Sequence, residues 1–510
     1  MIISLSVLVI TIIVSGTYAL YKAQLSKNIG VNTTTHGLAY YINYVKGTDI
    51  TAATLNPSTS YEGGASSDIE FWKKDDSYDI YGKIELTVNT IGTNLSNSPA
   101  LKYAVVNNGN VLKEGSLKGT TSGSKVTILK NLYLEQTKQI YTVYVWLDNS
   151  EELGNISNES LSISVDCTAS LQKEPTAADT IISLYTSAAK VTATNNSITY
   201  NTAPSVSLMN DRLGGTTTDL DGGNIRYYGA NPNNYIYFNC SDYSNQTSST
   251  CETWRIIGVF DGKLKLIKGS QIGTYSWDNK NISTGAEDDR GKNDWTTARL
   301  MKLLNPDDYY INDNNDKDSE GNYLGYSLYY NSASGMCFTD EGVNYSACDF
   351  TSTGIKNDET RNMIAETTYN LGGWNDTGVY PNEIYEYERG TTVYTGRPTT
   401  WTGKIALAYS SDYGYAADLN QCKQTLANYD NSTCTSNNWM KAIITDNGSN
   451  HGWLLTPDSS YSYVAWYSHG NVGEYFTGAA RGAVPVLSLS SKLGIESGDG
   501  SSSNPYKLSA

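Results

Sequence analysis

At 510 residues the chain is too long for one compact core, so two folded domains with connecting segments are expected. Lys and Arg number 36 against 52 Asp and Glu, a formal charge of −16, and the basic residues form no dense cluster. That balance argues against nucleic acid as a partner and suits a large, soluble, exported protein. The 41 Tyr against 6 Phe, with 45 Gly and abundant Ser, Thr and Asn, favour β structure over helical bundles.

Ile2 to Val14 is an almost unbroken run of Ile, Leu and Val, followed by Ser15-Gly16-Thr17-Tyr18-Ala19. Residues 1–24 read as an export signal cleaved after Ala19 or, if uncleaved, as a membrane anchor, since Ile2 to Leu20 is just long enough to span a bilayer. No positive residue precedes the run, while Lys22 and Lys27 follow it, against the positive-inside tendency. Whether the natural chain starts further upstream is left open by this pattern.

Residues 25–170 alternate short Val-, Ile-, Tyr- and Thr-rich segments with turn signals. Strands are predicted at Leu38–Val45, Ile69–Trp72, Tyr81–Val88, Leu101–Val106, Lys125–Leu129, Ile140–Leu147 and Leu161–Val165. Seven strands at this spacing predict an all-β antiparallel sandwich. Asn107-Asn108-Gly109-Asn110 supplies the residues a tight hairpin needs at positive φ, and alternation puts Ile84, Leu86 and Val88 on one face.

Gly16-Thr17-Tyr18-Ala19, followed by a sandwich closing on Tyr141-Thr142-Val143-Tyr144-Val145-Trp146-Leu147-Asp148, resembles the camelysin and TasA-like family of Gram-positive surface proteins. The resemblance covers about residues 10–170. It implies a jelly-roll-like sandwich, processing by a dedicated signal peptidase and, in some members, assembly into matrix fibres. A protease label attached to that family is not carried over, because the chain has no His-Glu-x-x-His and His36 stands alone.

Residues 171–226 are expected to be a flexible connector. It contains one short helix from Pro175 to Tyr185, with the proline in its first turn. Leu213-Gly214-Gly215-Thr216-Thr217-Thr218 and Asp221-Gly222-Gly223 carry too little apolar surface to bury.

Residues 227–510 form the second region. Strands are predicted at Tyr235–Phe238, Trp254–Val259 and Leu264–Ile267, the last two joined by an Asp261-Gly262 turn. Helices follow at Trp295–Leu304 and Asp358–Leu371, the second stopped by Gly372-Gly373. Further strands are predicted at Lys404–Tyr409, Tyr461–Tyr467, Glu474–Phe476 and Ala483–Leu489, which makes an α+β domain. Six of the seven cysteines fall into local pairs, Cys240 with Cys251, Cys337 with Cys348 and Cys422 with Cys434, eleven, eleven and twelve positions apart. The repeated spacing suggests three short disulfide loops, which persist only outside a reducing cytosol, and Cys167 is left over. No Cys-x-x-Cys occurs and no histidine neighbours a cysteine, so zinc is not expected.

Trp254-Arg255-Ile256-Ile257, Asn293-Asp294-Trp295, Trp453-Leu454-Leu455-Thr456-Pro457 and Arg481-Gly482-Ala483-Val484-Pro485-Val486-Leu487 resemble bacterial extracellular domains of C-type lectin-like fold. That fold is shared with sulfatase-modifying enzymes and hypervariable ligand-binding proteins. The match departs where Ala483 and Val484 separate Arg481 from Pro485, which puts a pocket role for that arginine in doubt. Formylglycine-forming relatives need reactive cysteines, whereas each cysteine of this region has a disulfide mate in reach. Sugar-binding lectins of the fold combine Trp-Asn-Asp with a Glu-Pro-Asn or Gln-Pro-Asp loop; Trp374-Asn375-Asp376 is present without either partner.

Two candidate sites remain. Asp313, Asp316, Asp318 and Glu320 alternate along an acidic loop and offer oxygen ligands to calcium, although the loop lacks the glycine and distal glutamate of an EF-hand; a solvated acidic loop is the alternative. Tyr461, Tyr463, Trp466, Tyr467, Tyr475 and Arg481 surround one strand and the next and form a candidate ligand-binding surface, with some of these rings expected in the core. No catalytic residue is identified: His451 and His469 lack a Ser or Cys partner and are expected to be structural. The sequence therefore points to a non-enzymatic, extracellular or surface adhesin that meets a glycan or protein through its second domain. A self-assembling matrix fibre is the alternative, and a glycoside hydrolase a further one.

Overall fold

The structure, a computed structural model, describes residues 23–24, 41–51, 55–151, 153–156, 158–212, 223–279, 290–339, 345–448 and 450–509. The apolar run Ile2 to Leu20 with its cleavage point, His36, and residues 213–218 and 221–222 lie outside them. Among the described residues no helix is long and apolar enough to cross a membrane. The chain is mostly β and divides into two compact units, Met1–Glu174 and Pro175–Ala510.

In the first unit strict alternation builds two sheets. Along Tyr81–Ile91 the side chains of Ile84, Leu86 and Val88 are buried, while Lys83, Glu85 and Thr87 between them are partly exposed. This strand lies between Leu161–Ser170 and Lys125–Tyr133, and Ala23–Gln24 and Ile50–Thr51 pair with Leu161–Ser170. The other sheet runs Ile42–Val45, Ala65–Lys73, Ile140–Asp148, Leu101–Asn107, Asn110–Ser116, with Pro57–Ser58 parallel to Ile140–Asp148. Ile69, Phe71, Val105, Val143 and Val145 of this sheet share one core with Ile84, Leu86, Ile163 and Val165 of the first, which makes a β-sandwich. The Asn107–Asn110 hairpin turns through Asn108 at φ 50° and Gly109 at φ 76°, the left-handed pair this turn requires. Cys167 is a free thiol sealed in that core, where burial raises its pKa well above the ordinary value and leaves it inert.

The second unit starts at Pro175, and the described residues 177–210 of the expected connector fold into its elements. Pro175 precedes the helix rather than entering its first turn. The helix spans Ala177–Ser187 and is closed by a capping box in which the Thr176 hydroxyl accepts from the Asp179 amide at 3.1 Å and Asp179 accepts from the Thr176 amide at 2.9 Å. Val191–Asn195, Ile198–Ala203 and Leu208–Asn210 then start a nine-stranded sheet. It continues through Ile225–Tyr227, Glu252–Phe260, Lys263–Lys268, Val486–Ser488 and Ile405–Ala406, and Tyr235–Phe238 pairs beside Glu252–Phe260. Polar composition misleads here because the polar residues have partners: Asn196 and Ser197 take positive φ in a turn, and the buried Asn195 amide donates to the carbonyls of Leu419 and Cys422.

The expected helix at Asp358–Leu371 stops at Met363. Its C-terminal part becomes the strand Thr367–Asn370, paired with Thr400–Gly403, since Thr367, Thr368 and Tyr369 prefer a pleated partner when one is available. The expected helix at Trp295–Leu304 is a 3₁₀ turn, Trp295–Thr297, followed by Arg299–Leu304. A helix not anticipated from the sequence spans Pro381–Arg389. Disulfides join Cys240 to Cys251, Cys337 to Cys348 and Cys422 to Cys434, all in this unit, and belong to an oxidising environment.

Candidate functional site

A second, five-stranded sheet in this unit orders its strands Thr274–Ser276, Ala480–Gly482, Gly452–Pro457, Val464–Ser468, Val472–Phe476. Its registers decide where each candidate side chain goes. Trp453 pairs with Tyr467, Tyr467 with Gly473, and Ala465 with Tyr475, so Trp453, Tyr467 and Tyr475 share one face. Arg481 reaches across that face and stacks its guanidinium over the rings of Tyr467, at 3.9 Å, and Tyr475, at 4.4 Å, with Trp453 beneath at 5.5 Å. Gly473 leaves room for the Tyr467 ring: a Cβ there would stand 3.0 Å from the Tyr467 hydroxyl and press the ring aside by a few tenths of an ångström.

The six aromatic and basic candidates are thus divided. Tyr467, Tyr475 and Arg481 converge. Trp466 points to the opposite face, fully buried among Leu454, Val472 and Val484. Tyr463 is 7 % exposed and packs on Phe476, where Arg290 donates to its hydroxyl at 3.1 Å. Tyr461 and Tyr475 are the two with open rings, 52 % and 41 % exposed.

Arg481 is only 9 % exposed, and its Nε is buried without a hydrogen-bond partner. Burial lowers its pKa; among the described residues the compensation comes from Tyr467 and Tyr475, and no carboxylate contributes. Beside it the His451 and His469 rings lie with centroids 4.1 Å apart, tilted by 40°, and His451 meets the Tyr467 ring edge-on at 5.1 Å. The His451 pKa is lowered from 6.5, first by burial and then by the charges of Arg481 and His469. Three nitrogen bases therefore meet on one aromatic face of an acidic protein. The histidines were expected to be merely structural; their 18-residue separation hides the fact that pairing of Gly452 with Ser468 sets them side by side.

On the other side of the same strands, Asp458 Oδ1 accepts from the amides of Ser460 and Tyr461 at 2.6 and 2.8 Å and so holds the turn that presents Tyr461. Its Oδ2 is buried without a partner in the ionised pair. Glu474 is pushed up to about 7, first by burial and then by its hydrogen bond to Asp458, so its proton is the partner that Oδ2 lacks. A neighbouring cleft lined by Trp277, Trp295, Tyr394, Arg397 and Asp458 encloses room for about one water molecule, too little for a saccharide.

The acidic loop is organised around a different partner. Asp316, fully buried, is bracketed by Arg299 at 2.8 Å and Lys302 at 2.9 Å and accepts from the Tyr326 hydroxyl at 2.7 Å. Asp318 accepts from the amides of Glu320 and Asn322, both at 2.9 Å; the backbone of Asp313 bonds to Asp316 and Tyr326, and Glu320 is exposed. Among the described residues no group of three or more His, Cys, Asp or Glu side chains is placed to hold a metal ion. Trp374 of the Trp-Asn-Asp tripeptide stacks flat on Tyr387 at 3.8 Å, and Asp376 accepts from the amide of Gly378 within its own loop at 2.7 Å.

No family model matches the chain, and no curated protein matches it. Solved structures that it resembles include an HCR/D point mutant, at 12 % identity over 53 % of this chain and 77 % of that one, with a TM-score of 0.15. Two others are the receptor binding domain of botulinum neurotoxin mosaic serotype C/D (12 % identity, 52 % and 74 % covered, TM-score 0.15) and the botulinum neurotoxin serotype D binding domain (12 %, 49 % and 73 %, TM-score 0.14). At such scores the likeness carries no argument about fold or function.

Proposed function

We propose that this is an exported, non-enzymatic surface or secreted protein whose second unit binds an extracellular glycan or protein through the face built by Tyr467, Tyr475 and Arg481. The observation that carries this reading is a nearly buried guanidinium laid between two tyrosine rings, one of them open to solvent, with no carboxylate among the described residues to neutralise it. A structural role alone gives no reason to keep such a charge, whereas a binding face gains from an oriented donor beside an aromatic ring. Three disulfides suit an extracellular setting for this unit.

The first unit, whose sequence resembles the camelysin and TasA-like group, serves in this reading as a stalk or assembly module, and the second belongs with the C-type lectin-like fold. A hydrolase draws no support from Asp458 and Glu474, because the cleft beside Asp458 has room for about one water molecule and not for a sugar. Screening the full oxidised chain on glycan and extracellular-protein arrays, with and without calcium, tests the proposal. Binding that Tyr475→Ala reduces about tenfold or more supports it; silence on both arrays, or binding indifferent to Tyr475 and Arg481, overturns it.

A further inference from the structure

The chemistry of the Arg481 face narrows the ligand. Arg481 Nε–H is a buried donor with nothing to donate to, and the side chain forms no ion pair or hydrogen bond with any described residue. Around it stand Tyr467, Tyr475 and Trp453, which are neutral, and His451 and His469, which are bases. The nearest carboxylate in sequence, Glu474, sits on the opposite face, since it pairs with Trp466 and shares a proton with Asp458. An uncompensated buried cation is costly, and the group that removes the cost is a planar or tetrahedral oxyanion meeting the guanidinium fork and the imidazoles together.

We infer that this face binds the carboxylate or sulfate of an acidic glycan, with the sugar ring carrying that group laid on the open ring of Tyr475. The inference rests on the binding face proposed above and adds the ligand's charge. Three features favour a glycan over an acidic peptide. The donor is single and recessed, the half-open ring of Tyr475 offers a flat apolar face beside it, and the protein's net charge of −16 disfavours a polyanionic chain in extended contact. The oxyanion satisfies Nε–H and neutralises Arg481, and by placing negative charge beside His451 it draws a proton onto that imidazole.

The test measures binding of the full oxidised chain to matched probes: oligogalacturonate against its carboxyl-reduced neutral form, heparin-derived oligosaccharide against its desulfated form, and oligoglutamate as the peptide arm. The expected result is a preference of about tenfold or more for at least one acidic glycan over its neutral twin, abolished in Arg481→Gln and weakened in Arg481→Lys, which keeps the charge but loses the fork. The lysine variant keeps the test decisive if the glutamine variant folds poorly. Equal binding of neutral and acidic glycans, lost in Tyr475→Ala but unaffected at Arg481, overturns the anion inference and leaves the binding face standing. Preferential, Arg481-dependent binding of oligoglutamate overturns the glycan class. Binding of none of the probes, after silence on the arrays, removes both readings.

Discussion

Two arginines of the second unit are packed on aromatic rings at similar distances, yet their surroundings differ in one respect. Arg226 lies 4.6 Å from the Phe260 ring and 4.7 Å from that of Tyr415, and it is also paired with Asp211 at 2.5 Å and Asp412 at 2.8 Å; Lys265 completes the pairing of Asp412. Arg481 has the rings without the carboxylates. The first is a closed network in which each charge has its counterpart inside the protein. The second is a half-network whose missing half must come from outside. Burial and cation–π packing alone do not distinguish a structural arginine from a ligand-binding one; the presence of an internal counter-charge does.

The contrast is broken or sharpened most strongly by removing Asp412. Asp412→Ala leaves Lys265 without its counter-charge and Arg226 with Asp211 alone, and is expected to cost about 3–5 kcal/mol in urea unfolding, while Arg481→Gln is expected to cost less than about 1 kcal/mol. Equal losses at the two sites would dissolve the distinction. The network also has an acid limb: Asp412 is held at about 2, below the ordinary 3.8, by Lys265 and Arg226 acting against its burial. Because its folded value is depressed, its contribution is present above about 4 and is lost as pH falls toward about 2; an acid titration of wild type should lose about 2 kcal/mol there that Asp412→Ala does not.

Next in size is the Cys422–Cys434 bond, whose cysteines pack with Tyr413, Tyr429 and Trp439 beside the network. Replacing both cysteines by serine is expected to lower unfolding free energy by about 2–3 kcal/mol, whereas serine at the free, buried Cys167 should cost less because no chain constraint is lost. Calorimetry under oxidising conditions checks both.

The smallest effect concerns a like-charged pair. Glu474 is raised from 4.5 to about 7 beside Asp458, so the proton it retains in the folded chain stabilises fully below about 4.5, and that contribution fades as pH rises through about 7. Glu474→Gln keeps a donor to Asp458 and should flatten the pH dependence of melting between those values. A slope unchanged by the substitution would show that the two carboxyls do not share a proton.

Much of the molecule was legible because its signals are local. Period-2 alternation marks the sandwich strands, Asn108-Gly109 marks a turn between two of them, Asp261-Gly262 marks a hairpin of the second unit, and the cysteine spacing matches the three disulfides. Residues 191–210 were misread because their strands are fixed by neighbours in the sheet and by distant groups, as the Asn195 amide is by the carbonyls of Leu419 and Cys422, more than two hundred positions away. Thr367–Asn370 was misread for the same kind of reason, since its partner strand starts at Thr400. The acidic loop was read for its oxygens, but Arg299 and Lys302 had already claimed Asp316 from a neighbouring helix.

The sequence by itself determined that strands dominate, that the second region carries three closed cysteine loops, and that Tyr and Trp are plentiful around residues 461–476. Only the tertiary structure decided which of those rings meet Arg481, that His451 and His469 adjoin it, and that among the described residues no carboxylate answers it. Those outcomes depend on strand register, and a shift of one residue would send Tyr467 and Tyr475 to the buried face and Trp466 to the open one. Composition and spacing carry no record of that register, because it is set by contacts between strands far apart along the chain.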